Sequence, residues 1–336
     1  MRPMRTAVVG FGSIADTLGE DPRMRKFFRT ISHAEALSKH PMYEFGGVLD
    51  PRREARERAR QYWNVDHVCV ELNELLAEYD PEILVMTCPP EARLAILSEC
   101  KSLKGVLLEK PLGFQATEIE EWARKKAIPV QVNYWRRAVP EFHGKGREQL
   151  LSRLGTAQAA FGVYGNGLQN NGSHLIDMAR MLFGGVRAVQ ALDTGRSAEC
   201  SCVRSDFDIG FCLSFESNLK MLVLPLSFAQ YREVGLDIWG TDSRVSINQE
   251  SLSIQIFPKV ANRGLEQVRE IASDKPENVD PEVGDVLDQM YENLYQAVSA
   301  NTALLSPIES AVRTEAIISA IEKSARSERI EIVVES

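Results

Sequence analysis

The stretch "TAVVGFGSIA", residues 6–15, joins a short apolar run to Gly10, Gly12 and Ala15 in the spacing G-x-G-x-x-A. Each small residue has a physical task in that pattern. The first allows a tight turn, the second lets the backbone approach a pyrophosphate, and the third lets a helix pack closely on the strand. Gly10, Gly12, Ser13, Ile14 and Ala15 are therefore candidate dinucleotide contacts, with the phosphates expected at the N-terminus of the next helix. A purely structural glycine turn can carry the same letters, so the decision falls to the surrounding pattern.

Outward from this stretch, strand-like runs recur at 6–10, 43–50, 67–70, 82–87, 105–110 and 129–133. Helical periodicity fills the gaps, as in "HAEALSKH", "RREARERARQYW", "ELNELLAEY", "EARLAILSECKS" and "ATEIEEWARKK". That alternation predicts parallel βαβ units closing into a doubly wound Rossmann sheet. Asp50 ends the second strand, where a carboxylate accepts from a ribose 2′-hydroxyl and repels a 2′-phosphate. Arg52 and Arg53 follow it, and either can hold a 2′-phosphate or simply face solvent. NAD is the expected cofactor, with NADP left open. Thr87, Cys88 and Pro89 stand at the carboxyl end of the fourth strand, the edge at which open α/β sheets bind ligands, and join the expected cofactor contacts.

Gly12 and Asp50 lie further apart than the ~20 residues usual between fingerprint and acid, so a segment is inserted. It contains "DTLGEDPRMRKFFRT", with Arg23, Arg25, Lys26 and Arg29 around Phe27 and Phe28. The segment reads equally as a phosphate-pairing lid or as a solvated helix anchored by two phenylalanines.

Past "YWRRAVP", near 134–140, long strand-like runs take over: "TAQAAFGVYG", "VRAVQALD", "DIGFCLSFESNLKMLVLPLSF" and "VGLDIWG". They predict an α/β domain with a large, open, mostly antiparallel sheet. Two helical stretches, 284–300 and 307–326, follow with apolar spacing suited to sheet packing. The expected division is residues 1–134 for dinucleotide binding and 135–336 for substrate binding and oligomerisation. A length of 336 residues suits two domains better than one.

The 44% hydrophobic and 26% charged composition is that of a folded globular chain. A net charge of -8, with no basic stripe, argues against nucleic acid as a partner. The opening apolar run is too short for a signal segment and no run is long enough to span a bilayer, which makes the cytoplasm the expected compartment. Of the six cysteines, 69, 88, 100 and 212 sit in apolar or strand-like runs, and Cys200 and Cys202 form an isolated C-x-C without a nearby histidine. Reduced thiols and no metal site are expected.

Two further stretches carry chemistry. "VLLEKPLG" places Glu109, Lys110 and Pro111 at the carboxyl end of the fifth strand, where a lysine is either a surface charge or a cation held against ligand oxygen. "GLQNNGSHLIDMARMLFGG", residues 167–185, reads as a helix N-capped by Ser173, docking through Leu175, Met178, Ala179 and Leu182 and stopped at Gly184. His174 would occupy its first turn with Asp177 three positions on. Tyr164, Asn166, Asn170 and Asn171 crowd the approach with neutral hydrogen-bonding groups, which suit hydroxyl-rich ligands but also serve turns.

"GFGSIA", "EKPLG", "VNYWRRAVP" and "GSHLIDMARMLFG" together resemble the glucose-fructose oxidoreductase, inositol dehydrogenase and rhizopine-catabolism family, Gfo/Idh/MocA, over residues 5 to about 325. The resemblance implies NAD(P)-linked oxidation or reduction of a sugar, polyol or nucleotide-linked sugar by a homodimer or homotetramer. It implies that Lys110 is the catalytic lysine and His174 the catalytic histidine, and that Pro111 follows a cis bond. It also implies that the segment from Asn133 to Arg137 approaches nicotinamide and substrate, with Asn133 toward the cofactor and Arg136 toward the substrate. The substrate set is thus Lys110, Arg136, Tyr164, Asn170 and His174. The family usually has aspartate four residues before the histidine, and this chain has Asn170 there. An amide can orient by hydrogen bonds but cannot stabilise an imidazolium by charge. That substitution supports a rival reading, a non-catalytic NAD(P)-binding regulator of the same fold. A third reading is turnover of another carbonyl or diol substrate.

Overall fold

The structure is a computed structural model that describes residues 2–198, 201, 203, 205–272 and 275–333. Cys200 and Cys202 lie outside the described residues. In the first unit, β1 (Met4–Val9), β2 (Tyr43–Leu49), β3 (His67–Cys69), β4 (Ile83–Met86), β5 (Gly105–Leu108) and β6 (Val130–Val132) pair in the order β3-β2-β1-β4-β5-β6. Every pairing in that sheet is parallel. This is the doubly wound order whose strand direction of travel reverses beside β1, leaving a ligand crevice at the carboxyl ends of β1 and β4.

The helices between the strands are α1 (His33–Lys39), α2 (Arg53–Trp63), α3 (Leu72–Glu78), α4 (Pro90–Glu99) and α5 (Ala116–Lys126). They form on the periodic stretches expected from sequence. Alternation along the strands feeds two cores. Ala7, Val9, Leu84, Met86, Val106 and Leu108 face one side with Leu75, Leu97 and Ile119, whereas Val8, Val48, Ile83, Val85 and Leu107 face the other with Leu37. Both faces of the sheet are therefore buried, as a parallel sheet requires.

The second unit is built on a ten-stranded mixed sheet. Its strands are β7 (Ala157–Tyr164), β8 (Val186–Ala191), β11 (Phe211–Phe215), β12 (Lys220–Pro225), β13 (Gly235–Gly240), β14 (Ser243–Asn248), β15 (Ser253–Ala261), β16 (Arg269–Ile271), β17 (Glu277–Val279) and β18 (Glu331–Ile332), with a short separate pair, β9 (Arg196–Ser197) and β10 (Phe207–Asp208). The single parallel pairing in the large sheet, β7 with β12, interrupts an otherwise antiparallel ladder. Sequence analysis missed α6 (Gly144–Leu154), whose opening glycines weaken the helical signal. Gly146 is required there, because a Cβ would lie 2.0 Å from the Pro140 carbonyl oxygen. The histidine-bearing helix α7 (Ser173–Phe183) buries Leu175, Met178, Ala179 and Leu182, the stripe expected of it.

The two compact units are not contiguous in sequence. One comprises 1–138 with 283–312, the other 139–282 with 313–336. Residues 283–312, which the division at 134/135 puts with the second domain, pack with the first compact unit. Within them, α8 (Val286–Ala300) presents Leu287, Tyr291 and Leu294 to the core that holds Val8, Ile83 and Leu107. Gly105 admits this helix, since a Cβ there would meet Val298 at 2.7 Å. The last helix, α9 (Ile308–Ser327), begins in the first unit and continues into residues assigned to the second. Among the described residues no helix is long and apolar enough to cross a membrane. The described cysteines Cys69, Cys88, Cys100 and Cys212 are free thiols.

Leu294 is fully buried, so Leu294→Ala should lower unfolding free energy by about 2–5 kcal/mol, the usual range for such a core truncation. Amide exchange should accelerate in β1, β4 and β5 and stay unchanged in β13 and β14. Faster exchange in β13 and β14 alone would assign α8 to the wrong unit.

Candidate active site

The glycine loop is shaped by close backbone contact. Gly10 has φ of +82°, and a Cβ on it would lie 2.8 Å from the Cys88 backbone nitrogen. The two loops can meet only because residue 10 lacks a side chain. Thr87 fastens them: its amide donates to the Val9 carbonyl at 2.9 Å and its hydroxyl donates to the Gly10 carbonyl. Over Gly12 the space is open, with the Arg52 guanidinium nearest at 3.9 Å from an added Cβ. That clearance fits the approach of a pyrophosphate to backbone.

The expected helix does not follow directly. Residues 12–16 form one turn, with Asp16 N–H donating to the Gly12 carbonyl at 3.0 Å, and two short 3₁₀ turns lead away. The chain returns at Ser32, where α1 begins, and His33 and Ala34 donate their amides to the carbonyls of Ile14 at 3.2 Å and Ala15 at 2.8 Å. The fingerprint turn and α1 are thus one helix split by an excursion. This corrects the placement of phosphates at an uninterrupted helix start. It also accounts for the long spacing from Gly12 to Asp50.

The basic residues of the excursion are largely engaged with carboxylates. Arg23 pairs with Asp21, Arg25 with Glu35 at 2.7 Å, and Arg29 with Asp285. Phe28 packs edge-on against Trp135 with ring centres 5.6 Å apart, while Phe27 is about half exposed. The geometry favours an anchored surface excursion over a phosphate-seeking lid.

Asp50 is buried at the end of β2 and accepts from Phe11 N–H at 2.6 Å and Arg52 N–H at 2.8 Å. Arg52 also forks onto it through Nε at 3.0 Å and a terminal nitrogen at 2.7 Å. Burial alone would raise this carboxyl's pKa, but the Arg52 fork and the two backbone donors hold it below its ordinary value. A ribose hydroxyl would therefore have to displace part of the Arg52 fork. Arg53 instead pairs with Glu57 on the exposed face of α2.

The Glu109–Lys110–Pro111 segment follows β5, and the Lys110–Pro111 bond is cis. Glu109 is buried, and its Oε1 accepts from His33 Nε2 at 3.0 Å and from Asn133 Nδ2 at 2.5 Å. Burial raises this carboxyl's pKa, but the hydrogen bonds from His33 and Asn133, aided by Lys110, bring it below the usual value. On its far side, His33 Nδ1 meets the Tyr291 hydroxyl at 2.8 Å. Arg93, nearly inaccessible, donates to the carbonyls of Cys88, Glu109 and Pro111, tying the loop after β4 to the lysine segment. Asn133 keeps one buried atom, Oδ1, without a hydrogen-bond partner among the described residues. Such an orphan acceptor at the carboxyl edge of the sheet fits a ligand N–H. With the clearance over Gly12, it makes the residues present compatible with NAD. Arg136 is also buried, in a 3₁₀ turn, with its guanidinium 4.4 Å from the centre of the Trp135 ring.

In the second unit, the histidine helix starts earlier than expected. A π-helical turn, Leu168–Gly172, runs straight into α7, so Ser173 is helical and does not cap the helix; its hydroxyl donates to the Asn170 carbonyl at 2.9 Å. The amides at the start of that turn meet acids. Asp206 accepts from Gln169 and Asn170 N–H at 3.0 and 3.1 Å, and Asp208 accepts from Gly167 N–H at 2.9 Å. Gly167 is required, as a Cβ would fall 1.8 Å from Asp206. The start of the helix is therefore displaced upstream of His174, and its amides are answered by carboxylates. Asp177, three positions after His174, is buried and accepts from Thr314 at 3.2 Å, with Arg180 3.7 Å away. Its contacts within this unit join α7 to α9.

Tyr164 is a structural residue, against its expected place on the substrate. Its ring is inaccessible, its hydroxyl donates to the Ile209 carbonyl at 2.8 Å and accepts from Ile209 N–H at 2.8 Å. Nothing remains for a ligand. Asn170 is buried within the π turn. Beside it, Asn166 Oδ1 and Asn171 Nδ2 are inaccessible and without a hydrogen-bond partner among the described residues. Sequence reasoning missed His33, Arg93, Asp206 and Tyr291 as members of these networks. An arginine on the apolar face of "EARLAIL" was the one legible signal.

A parallel six-stranded sheet with a glycine fingerprint, a lysine segment at its carboxyl edge and a second unit on a mixed sheet define a dinucleotide-binding α/β protein of two units. Comparison with known proteins makes this specific. Residues 4–134 match the oxidoreductase family, NAD-binding Rossmann fold, and residues 162–334 match the oxidoreductase family, C-terminal alpha/beta domain. The chain belongs to the Gfo/Idh/MocA oxidoreductase family, and its first unit is of the NAD-binding kind.

The trans-1,2-dihydrobenzene-1,2-diol dehydrogenase of Oryctolagus cuniculus is 28% identical over 51% of this chain and 57% of its own. The chain spans about half the length of the curated relatives it matches. In fold it is similar to the WlbA dehydrogenase of Chromobacterium violaceum, solved with NADH and UDP-GlcNAcA, at a TM-score of 0.74, 18% identity and coverage of 100% and 97% of the two chains. It is likewise similar to levoglucosan dehydrogenase, solved with NADH and L-sorbose, at a TM-score of 0.74 and 17% identity over 100% of both chains.

Tyr164→Phe should lower stability by about 1–3 kcal/mol, because the Ile209 amide and carbonyl both lose their partner. Affinity for NADH should not change. A variant of unchanged stability with weakened ligand binding would return Tyr164 to the site.

Proposed function

We propose that this protein transfers a hydride between NAD and a hydroxyl-bearing carbon of a sugar, polyol or nucleotide-linked sugar. The observation that carries the reading is the Glu109–Lys110–Pro111 segment at the carboxyl edge of the NAD-binding sheet, where the buried Glu109 accepts from His33 and Asn133 and Asn133 presents an orphan acceptor. Support for the substrate class comes from the neutral groups around the π turn. Asn166 and Asn171 have unanswered polar atoms that suit neutral hydroxyls. The fold relatives solved with UDP-GlcNAcA and L-sorbose are consistent with this class.

Bound NAD supplies the hydride acceptor, and the chain has to manage the proton. In the proposed oxidation, Lys110 Nζ donates a hydrogen bond to the substrate oxygen and stabilises negative charge as it develops there. A ring nitrogen of His174 takes the hydroxyl proton. Asn170 contributes an amide where the family aspartate would contribute charge, so His174 works as a base without that carboxylate. The same residue is what favours the rival, a cofactor-binding regulator without turnover. Catalysis on a diol is a variant of the main reading, and the rabbit diol dehydrogenase gives a reason to include diols in the screen.

The test is a screen of cofactor reduction across free sugars, polyols, nucleotide-linked sugars and diols. Against the best substrate, His174→Ala should reduce kcat by about 10²–10⁴ and Lys110→Met by at least about 10², while NADH still binds. Turnover that survives both changes would overturn the mechanism, and no turnover with any substrate would favour the regulator. For the cofactor, Arg52→Ala should raise the preference for NADH over NADPH by about tenfold, a difference of about 1.4 kcal/mol, because it frees Asp50 and removes a cation available to a 2′-phosphate. Equal affinities that do not respond to Arg52→Ala or Asp50→Ala would remove the Asp50 assignment.

A further inference from the structure

Behind the lysine segment lies a chain of buried polar groups, two of which, His33 and Tyr291, no sequence motif marked. Tyr291 comes from α8, His33 from the start of α1, Glu109 from the end of β5 and Asn133 from the end of β6. Tyr291 and His33 are fully buried, Glu109 is 8% exposed and Asn133 is 7% exposed. The links run from the Tyr291 hydroxyl to His33 Nδ1, 2.8 Å; from His33 Nε2 to Glu109 Oε1, 3.0 Å; and from Asn133 Nδ2 to the same oxygen, 2.5 Å.

The chemistry gives this chain a direction. A carboxylate only accepts, so both His33 Nε2 and Asn133 Nδ2 must present N–H to it. An amide that turns its nitrogen toward the carboxylate must turn its oxygen away. That oxygen, Asn133 Oδ1, is the buried atom without a hydrogen-bond partner among the described residues. The identity of the group that Asn133 offers a ligand is thus determined behind it. If Glu109 lost its His33 donor, the buried carboxyl would favour its protonated form, which can donate as well as accept. The Asn133 amide would then be free to present either end.

We propose that His33, steadied by Tyr291, is a positioning residue that keeps Glu109 an acceptor and so fixes Asn133 Oδ1 as the receptor for a carboxamide N–H of the cofactor. His33 touches neither cofactor nor substrate in this role; it acts through Glu109. The inference rests on the NAD-binding assignment of this unit and does not depend on which substrate is turned over. Its failure would leave the hydride-transfer proposal standing.

The probe is a pair of dinucleotides that differ in the N–H donor. NAD⁺ has a carboxamide; its 3-acetylpyridine analogue has a methyl ketone and no N–H. Calorimetric titration of the full chain, stripped of nucleotide, should give about tenfold tighter binding of NAD⁺ than of the analogue, near the upper end for one net hydrogen bond. ADP-ribose, which lacks the nicotinamide, reports on the glycine loop alone. In His33→Phe the preference should fall to within about twofold, with ADP-ribose affinity unchanged. His33→Gln, which retains a side-chain N–H donor, should restore most of the preference. A His33→Phe protein that binds ADP-ribose and keeps the tenfold preference overturns the proposal, as does a wild type that binds both dinucleotides alike. If His33→Phe no longer binds ADP-ribose, Tyr291→Phe decides, since it keeps the ring and removes only the hydroxyl. A fall to about threefold is expected there, and an unchanged preference overturns the role of the relay.

Discussion

Two backbone hydrogen bonds, from His33 N–H to the Ile14 carbonyl and from Ala34 N–H to the Ala15 carbonyl, rejoin a helix that the chain has left and re-entered. Much of the first unit depends on them. They hold the excursion outside the helical register, keep the fingerprint turn against α1, and deliver His33 to the interior beside Glu109. The excursion is tied down at its edges by Asp16, which accepts from Arg58 and from Trp63 at 2.9 Å, and by Ser32, which caps α1 by accepting from Glu35 N–H. An insertion between a glycine fingerprint and its helix would ordinarily disturb the loop ahead of it. Here the helix's hydrogen bonds close across the gap, so the glycine loop and the residues behind the lysine keep a common frame.

That frame matters because Glu109 is a largely buried carboxyl whose pKa its hydrogen-bond donors hold below the ordinary value. An isolated buried carboxylate costs several kcal/mol, and it persists only when donors saturate it. His33 and Asn133 supply two donors, while Arg93 binds the Glu109 backbone carbonyl and leaves the carboxylate to them. The arrangement is rigid as a consequence. Arg93 joins three carbonyls on two loops, so the Cys88 loop, the lysine segment and the carboxylate beside it form one hydrogen-bonded edge. The fixed edge lies at the carboxyl ends of the strands, where the topology of the sheet already places the ligand crevice.

The Rossmann sheet was legible in the sequence because its signal is local: six apolar strands, alternating helices and a glycine spacing with one physical use each. Gly10 illustrates why, as the demand for a residue without Cβ arises from the turn and from Cys88 across one strand pairing. The polar networks were not legible, because their members come from distant segments. Nothing near His33 in sequence announces Glu109 or Tyr291. Tyr164 failed for the opposite reason. Its local company of asparagines suggests a ligand, but the alternation of β7 turns it into the core, where Ile209 satisfies its hydroxyl on both sides. That residues 283–312 pack with the first unit was not legible, because an amphipathic period says that a helix packs on a sheet and does not say which sheet.

In the second unit the start of the histidine helix is met by carboxylates although position 170 is an asparagine. The chain does not lack carboxylates in this region; it places Asp206 and Asp208 at the head of the π turn, on the amides of residues 167, 169 and 170. Burial raises the pKa of Asp208, and Arg196 lies 3.5 Å from its carboxylate. These acids answer the helix start through backbone N–H groups, so they stabilise the turn itself and fix the backbone of Asn170. A carboxylate on the side chain of residue 170 would act as a charge on whatever that side chain faces. Exchanging it for an amide, while acids a few ångströms away hold the backbone, separates two tasks that one aspartate could combine: the shape of the turn is retained by charge, and the group presented from residue 170 is neutral. In this turn carboxylates meet the backbone and an amide stands on the side chain of residue 170, and the helix keeps its form with asparagine at that position.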